Sequence, residues 1–168
     1  GTIQSVPGSS LYIGSSAGLE NYFNGSLDEV AIWNRSLSAT EIANIYNLQK
    51  DQYNEHSVTV NFANTIKGWW RFNGNNDLLD NSGNSNTGTN YSSKYSNYGK
   101  YSGSRNFSGT DYVDMGDTPS LNITNNITIQ AWMMPNKQGT LATSAAGGSS
   151  SPYYRTINIT GGTPVNNY

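Results

Sequence analysis

Short runs in which apolar residues alternate with polar ones, or stand together, recur along this chain between clusters of Gly, Asn and Ser. Ser10-Leu-Tyr-Ile13, Leu27-Asp-Glu-Val-Ala-Ile-Trp33 and Ile127-Thr-Ile-Gln-Ala-Trp132 are the clearest of them, and such runs predict short, half-buried or fully buried strands. An all-β class follows. One segment has another period: Ser38-Ala-Thr-Glu41 has the form of a capping box, and Ile42, Ile45, Tyr46 and Leu48 follow at helical spacing, which predicts a single short helix lying against the sheets. Residues 49 to 57 are polar and aperiodic and read as a linker. Beyond them Val58, Val60 and Phe62 alternate with Thr59 and Asn61, the pattern of a strand with one buried face. The stretch from Asp80 to Tyr101 reads as a long decorated loop carrying at most one weak strand, and 142 to 152 as loop.

Two of these blocks resemble the laminin-G-like domains of the concanavalin A-like lectin/glucanase superfamily, and they resemble opposite ends of them. "LYIGSSAGLENYFNGSLDEVAIWNRSLSATEIANIYN", residues 11 to 47, is similar to the closing third: a strand ending in Ile-Gly, a strand opening F-x-G-x-L-D-E-V, then a capped helix ending in Ile-Tyr. Residues 68 to 134, with "GWWRFNGNNDLLDNSGNSNTG" and "NFSGTDYVDMGDTPSLNITNNITIQAWMMP", are similar to the opening half. That half has an aromatic first strand, an Asp-x-Ser-Gly turn, a Phe-x-Gly-x-x-Tyr-Val strand and a Thr-Ile-x-Ala-Trp strand. The resemblance implies a jelly-roll sandwich with one short helix, built in permuted or split order.

On this reading, residues 1–48 supply the end of one unit, 49–65 a linker with an exchangeable strand, and 66–168 the beginning of a unit. The end of the domain precedes its beginning, and its middle strands are not recognisable. Three arrangements produce such an order: a junction between tandem repeats, a circular permutation, or halves completed by neighbouring molecules. Open sheet edges are a liability that must be covered. The expectation is therefore that the chain does not close its own fold, and that Val58 to Phe62 is donated to a neighbouring copy or repeat.

Composition narrows the function. Only 12% of the 168 residues are charged and the net charge is -2, so the basic footprint that nucleic acid requires is missing. No run approaches the roughly 18 apolar residues of a membrane span, and no signal peptide opens the chain, which is expected to be mature or excised from a longer one. The chain has no cysteine, which removes disulfides and thiolate metal sites. An extracellular or cell-surface location is expected. Sequons stand at Asn24, Asn34, Asn90, Asn106, Asn122, Asn126 and Asn158, and chance alone supplies roughly five in a chain so rich in Asn, Ser and Thr.

Catalysis is not expected. The Glu-x-Asp-x-x-Glu string of glycanase relatives is absent, and Asp28 and Glu29 are adjacent, so on a strand they point to opposite faces. His56 is the only histidine and falls in the linker. The resemblance further implies a structural calcium joining the opening strand to the last one, which maps onto Asp80 and Asp28, with turn capping as the plainer role of both. Trp33, Trp70 and Trp132 read as core, whereas Tyr91, Tyr95, Tyr98 and Tyr101 recur in a polar segment and could form an exposed binding platform for a glycan or a protein. Two functions remain. One is a non-enzymatic structural or adhesion module that assembles with its own copies or repeats, in a surface protein or a filament. The other is a calcium-dependent carbohydrate-binding accessory module of a secreted enzyme.

Overall fold

A computed structural model of the chain describes residues 9–16, 20–50, 64–74, 77–124 and 126–136. Eight strands and one helix follow one another: β1 (Tyr12–Ile13), β2 (Asn24–Trp33), α1 (Ala39–Lys50), β3 (Ile66–Trp70), β4 (Thr89–Tyr91), β5 (Lys94–Tyr101), β6 (Gly103–Ser108), β7 (Tyr112–Asp114) and β8 (Thr128–Pro135). They form an all-β sandwich of two antiparallel sheets. The smaller has the order β1-β7-β4, and in the larger β2 pairs with β3, β6 and β8, while β5 pairs with β6.

β2 organises the larger sheet. Along one edge it pairs with β8 from Gly25↔Pro135 to Trp33↔Thr128. Along the other its first half meets β6 (Asn24↔Ser108 to Leu27↔Arg105) and its second half meets β3 (Val30↔Trp70 to Trp33↔Ile66). The closing block of the sequence is thus docked onto the opening block within one chain.

The core between the sheets holds Ile13 and Val113 from the small sheet and Leu27, Val30, Ile32, Trp70, Phe107 and Met133 from the large one. A second cluster, Ala31, Trp33, Leu37 and Ile45 with Ile42, Ile66 and Trp69 against it, joins α1 to the other face of the large sheet. The helix begins as its sequence predicts. Ser38 Oγ accepts the Glu41 N–H at 3.2 Å, and Glu41 Oε2 accepts the Ser38 N–H at 2.8 Å, so two orphan donors are satisfied reciprocally. Arg35 adds an ion pair to Glu41 at 2.6 Å. The helix runs through Gln49 and Lys50, two residues into the expected linker.

Two expectations are corrected. The stretch from Asp80 to Tyr101 is not mainly loop, since it forms β4 and β5. β5 carries half-exposed Tyr, Ser and Lys without an apolar face because it lies at the end of the large sheet. Nor is the Phe-x-Gly-x-x-Tyr-Val block one strand. Gly109 takes φ +94° and turns the chain from β6 in the large sheet to β7 in the small one, a conformation glycine adopts without steric cost. The expected exchange strand, 58 to 62, and the loop at 142 to 152 lie outside the described residues.

The expected tryptophan core is found: Trp33, Trp70 and Trp132 are all buried. Trp70 is fully enclosed, and its Nε1 donates to the Asn86 carbonyl at 2.7 Å. Trp70→Ala should therefore cost on the order of 3–5 kcal/mol, through lost burial and a residual cavity. Denaturant unfolding followed by circular dichroism checks this, and a near-neutral effect would contradict the enclosure.

Candidate functional site

Asp28 and Glu29 lie at the centre of β2, and neither is on the surface: each is only 2% exposed. The register with β8 slips between Asp28↔Trp132 and Ala31↔Gln130, so Glu29 and Val30 together oppose Ala131. Glu29 is the bulge, in the left-handed region at φ +50°. Without it, strand alternation would put Leu27 on the same face as Ala31 and Trp33. With it, Leu27, Val30 and Ile32 all face the sandwich core, and Ala31 and Trp33 face the helix.

The bulged side chain is held. Glu29 accepts from Trp69 Nε1 at 2.7 Å and Arg71 Nε at 3.2 Å, and the Arg71 guanidinium lies 5.5 Å from the Trp69 ring centre. Burial raises the pKa of Glu29, while the bonds from Trp69 and Arg71 pull it down. Asp28 is less well served. Its Oδ2 accepts the Tyr101 N–H at 2.8 Å, and its Oδ1 is buried without a hydrogen-bond donor. Burial pushes its pKa up to about 8 against the pull of the Tyr101 N–H, and the neighbouring Glu29 charge adds to the rise.

Asp80 is placed differently. Its Oδ1 accepts the N–H groups of Trp69 (2.9 Å) and Ser82 (2.8 Å), and its Oδ2 accepts the Ser82 hydroxyl (2.8 Å) and the Asn86 N–H (3.0 Å). Four donors fill its four acceptor positions. This is a turn cap. No donor is common to Asp28 and Asp80, and no group of three or more His, Cys, Asp or Glu converges among the described residues. The donor set therefore fits hydrogen bonding better than a shared cation, which wants six to eight free oxygens.

The four tyrosines are divided between the sheets. Tyr91, on β4, stacks on Tyr112 at 4.5 Å, and Tyr112 meets Tyr12 edge-on at 5.7 Å, so a row of rings runs across the small sheet. Tyr95, Tyr98 and Tyr101 lie on β5 of the large sheet. Tyr98 is 83% exposed, and Tyr95 is half-buried with its hydroxyl 3.4 Å from the Asn73 carbonyl. Tyr12 and Tyr112 were not singled out from the sequence, although alternation with Ile13 and Val113 marks them as outward-facing.

Of the sequon residues, Asn34, Asn90, Asn106, Asn122 and Asn126 are exposed. Asn24 is tied to Ser108 and Asn136, and Asn90 to Ser93. Asn158 lies outside the described residues.

A cleft of about 460 Å³ opens where β5 and β6 approach the segment preceding β4, lined by Leu78, Thr87, Gly88, Asn90, Ser93, Lys94, Tyr95 and Arg105. Arg105 pairs across the ladder with Leu27 on one side and Tyr95 on the other. Paired residues share a face, so Arg105 projects on the core side of the sheet. Lys94 and Arg105 carried no signal in the sequence, because neither belongs to a basic run.

These features define an all-β sandwich of two antiparallel sheets, with Asp28 and Glu29 buried at the centre of β2 and tyrosines presented at its surface. Residues 1–43, about a quarter of the chain, match the family model described as the concanavalin A-like lectin/glucanases superfamily, which bears out the resemblance carried by residues 11–47. No curated protein and no solved structure matches the chain. No described helix is long and apolar enough to cross a membrane.

Two outcomes test the acids. The folded pKa of Asp28 stands above its unfolded value of about 3.9, so the native state retains a proton that the unfolded chain releases. Stability is accordingly full below about pH 4 and falls as pH rises towards about 8. Asp28→Asn, which keeps an acceptor for Tyr101, should raise the melting temperature at pH 7 and flatten its decline between pH 4 and 8; an unchanged profile would show that Asp28 is ionised at no cost. Chelator should leave the native midpoint unmoved, since Asp80 has no acceptor to spare, whereas a midpoint raised by added calcium would restore the shared ion by mass action.

Proposed function

We propose that the chain is a non-catalytic adhesion module of an extracellular surface protein, assembled by accepting a strand from a neighbouring copy or repeat along β8. The family match supports a carbohydrate-binding or adhesion-type module in general. The observation that favours assembly is the edge of β8. Among the described residues β2 is the strand that β8 pairs with, and Thr128, Gln130, Trp132 and Met133 are buried as in an interior strand. Residues 127–136 carry no charge. Natural sheets guard their edges with charges, bulges or proline; β8 itself has Pro135 at its far end, and the Lys100 ammonium of β5 lies 5.0 Å over its Trp132 ring.

Val58 to Phe62 is the segment proposed to fill that edge, in another copy or repeat, because its alternating apolar face matches a half-buried strand. Head-to-tail pairing of this kind generates chains or rings. A glycan-binding reading stands beside it, favoured by the Tyr12–Tyr112–Tyr91 row and the cleft. Exposed rings of this type take the C–H faces of sugars.

Sedimentation velocity over a concentration series checks the assembly. The native chain should form species larger than a monomer, and a variant carrying Val58→Asp, Val60→Asp and Phe62→Asp should run as a folded monomer. A native chain that stays monomeric at every concentration would sink the proposal.

A further inference from the structure

The cleft beside β5 has a charge balance unlike the rest of this sparsely charged chain. Two cations line it, Lys94 and Arg105, and no carboxylate does. Arg105 is only 3% exposed, so its charge is held where water can do little for it. Burial lowers its pKa, and Asp77 is the acid whose field reaches it, from outside the lining. The guanidinium remains charged throughout the accessible range. Asp111, whose field meets Lys94, is held by Ser108 and Thr110 in the adjoining recess.

The remaining lining is neither oily nor wholly polar. Leu78 and the Tyr95 ring give apolar surface, and Thr87, Asn90 and Ser93 give hydroxyl and amide groups. The volume lies within the roughly 300–1,000 Å³ of small-molecule sites. A buried arginine fork suits a planar carboxylate through two parallel bonds, where lysine acts as a point charge.

We propose that this cleft binds a sugar acid, its carboxylate on Arg105 and Lys94 and its ring against Tyr95 and Leu78. The proposal rests on the glycan-binding reading and narrows it to uronate-containing saccharides. No residue of β8 lines the cleft, so ligand titration tests it separately from assembly at β8.

Isothermal titration of the native chain with trigalacturonate, its methyl ester and inorganic phosphate tests it. Trigalacturonate should bind saturably, and the ester should bind at least about tenfold more weakly, the loss expected for a charge-assisted bond. Phosphate alone should give no saturable heat. Lys94→Gln, at an exposed position, should melt like the native chain and bind trigalacturonate about tenfold more weakly. Arg105→Gln should abolish binding; if it fails to fold, the ester and Lys94→Gln arms still decide. Equal affinity for acid and ester would overturn the sugar acid and leave a neutral glycan site. Phosphate binding as tight as trigalacturonate would reduce the cleft to a generic anion site. Absence of any binding would overturn both the sugar acid and the cleft's part in the glycan reading.

Discussion

The sandwich depends on one residue held out of the ordinary strand conformation. β2 is buried along almost its whole length because it faces a core on each side, the second sheet and the helix. Strand alternation serves both cores only if the apolar residues fall in the right phase, and here the phase changes midway. Leu27 belongs to the sheet-to-sheet core, and so do Val30 and Ile32. An odd step is needed between them. Glu29 supplies it at φ +50°, a conformation that costs a non-glycine residue about 1–2 kcal/mol. The bonds from Trp69 and Arg71 offset that cost and explain why a carboxylate, not a glycine, stands at the bulge.

The same slip shapes the edge of β2 away from β8. β6 pairs only as far as Leu27 and β3 only from Val30 onward, so the ladder is interrupted where Asp28 stands. β5 answers the gap with an excursion: its register with β6 jumps between Ser96↔Ser104 and Tyr101↔Gly103, bringing the Tyr101 N–H to the Asp28 carboxylate. The approach is so close that a Cβ at Gly99 would strike the Gly103 carbonyl and come within 2.9 Å of Asp28 Oδ2. Asp28 thus replaces a missing strand partner. Its raised pKa is the electrostatic consequence of doing so in a site with one good donor.

How far the sequence could be read follows from which forces are local. The capping box at Ser38 and Glu41 was legible because both partners lie within one helical turn. The tryptophans were legible because they sit in apolar runs. β4 and β5 were not, since strands at a sheet's end need no apolar face and tyrosine suits both water and packing. The alternation expected to put Asp28 and Glu29 on opposite faces is interrupted by the bulge, although their partners lie on different strands, and the bulge was invisible because nothing in Asp-Glu-Val announces a left-handed residue. Arg105 and Lys94 stayed hidden for a further reason. Their convergence on the cleft arises from three segments meeting, and no single segment carries it.

The ends of the large sheet are unequal in a way that separates binding from assembly. At the β5 end the strand is half-exposed, rich in tyrosine, and carries Lys94 and Lys100, so another strand would have to desolvate charges to pair there. At the β8 end the strand itself carries no charge, Met133 packs in the core, and Trp132 meets Tyr46 and, 5.0 Å from its ring centre, the Lys100 ammonium. A strand arriving at β8 would therefore gain a ladder without desolvating a charge of β8 itself. A ligand arriving at β5 finds hydroxyls, rings and cations that water already wets. The two ends meet where the Lys100 ammonium of β5 lies 5.0 Å from the Trp132 ring centre of β8, and since Lys100 is not among the residues lining the cleft, a strand added at β8 would reach the β5 end through Lys100 and not through that lining.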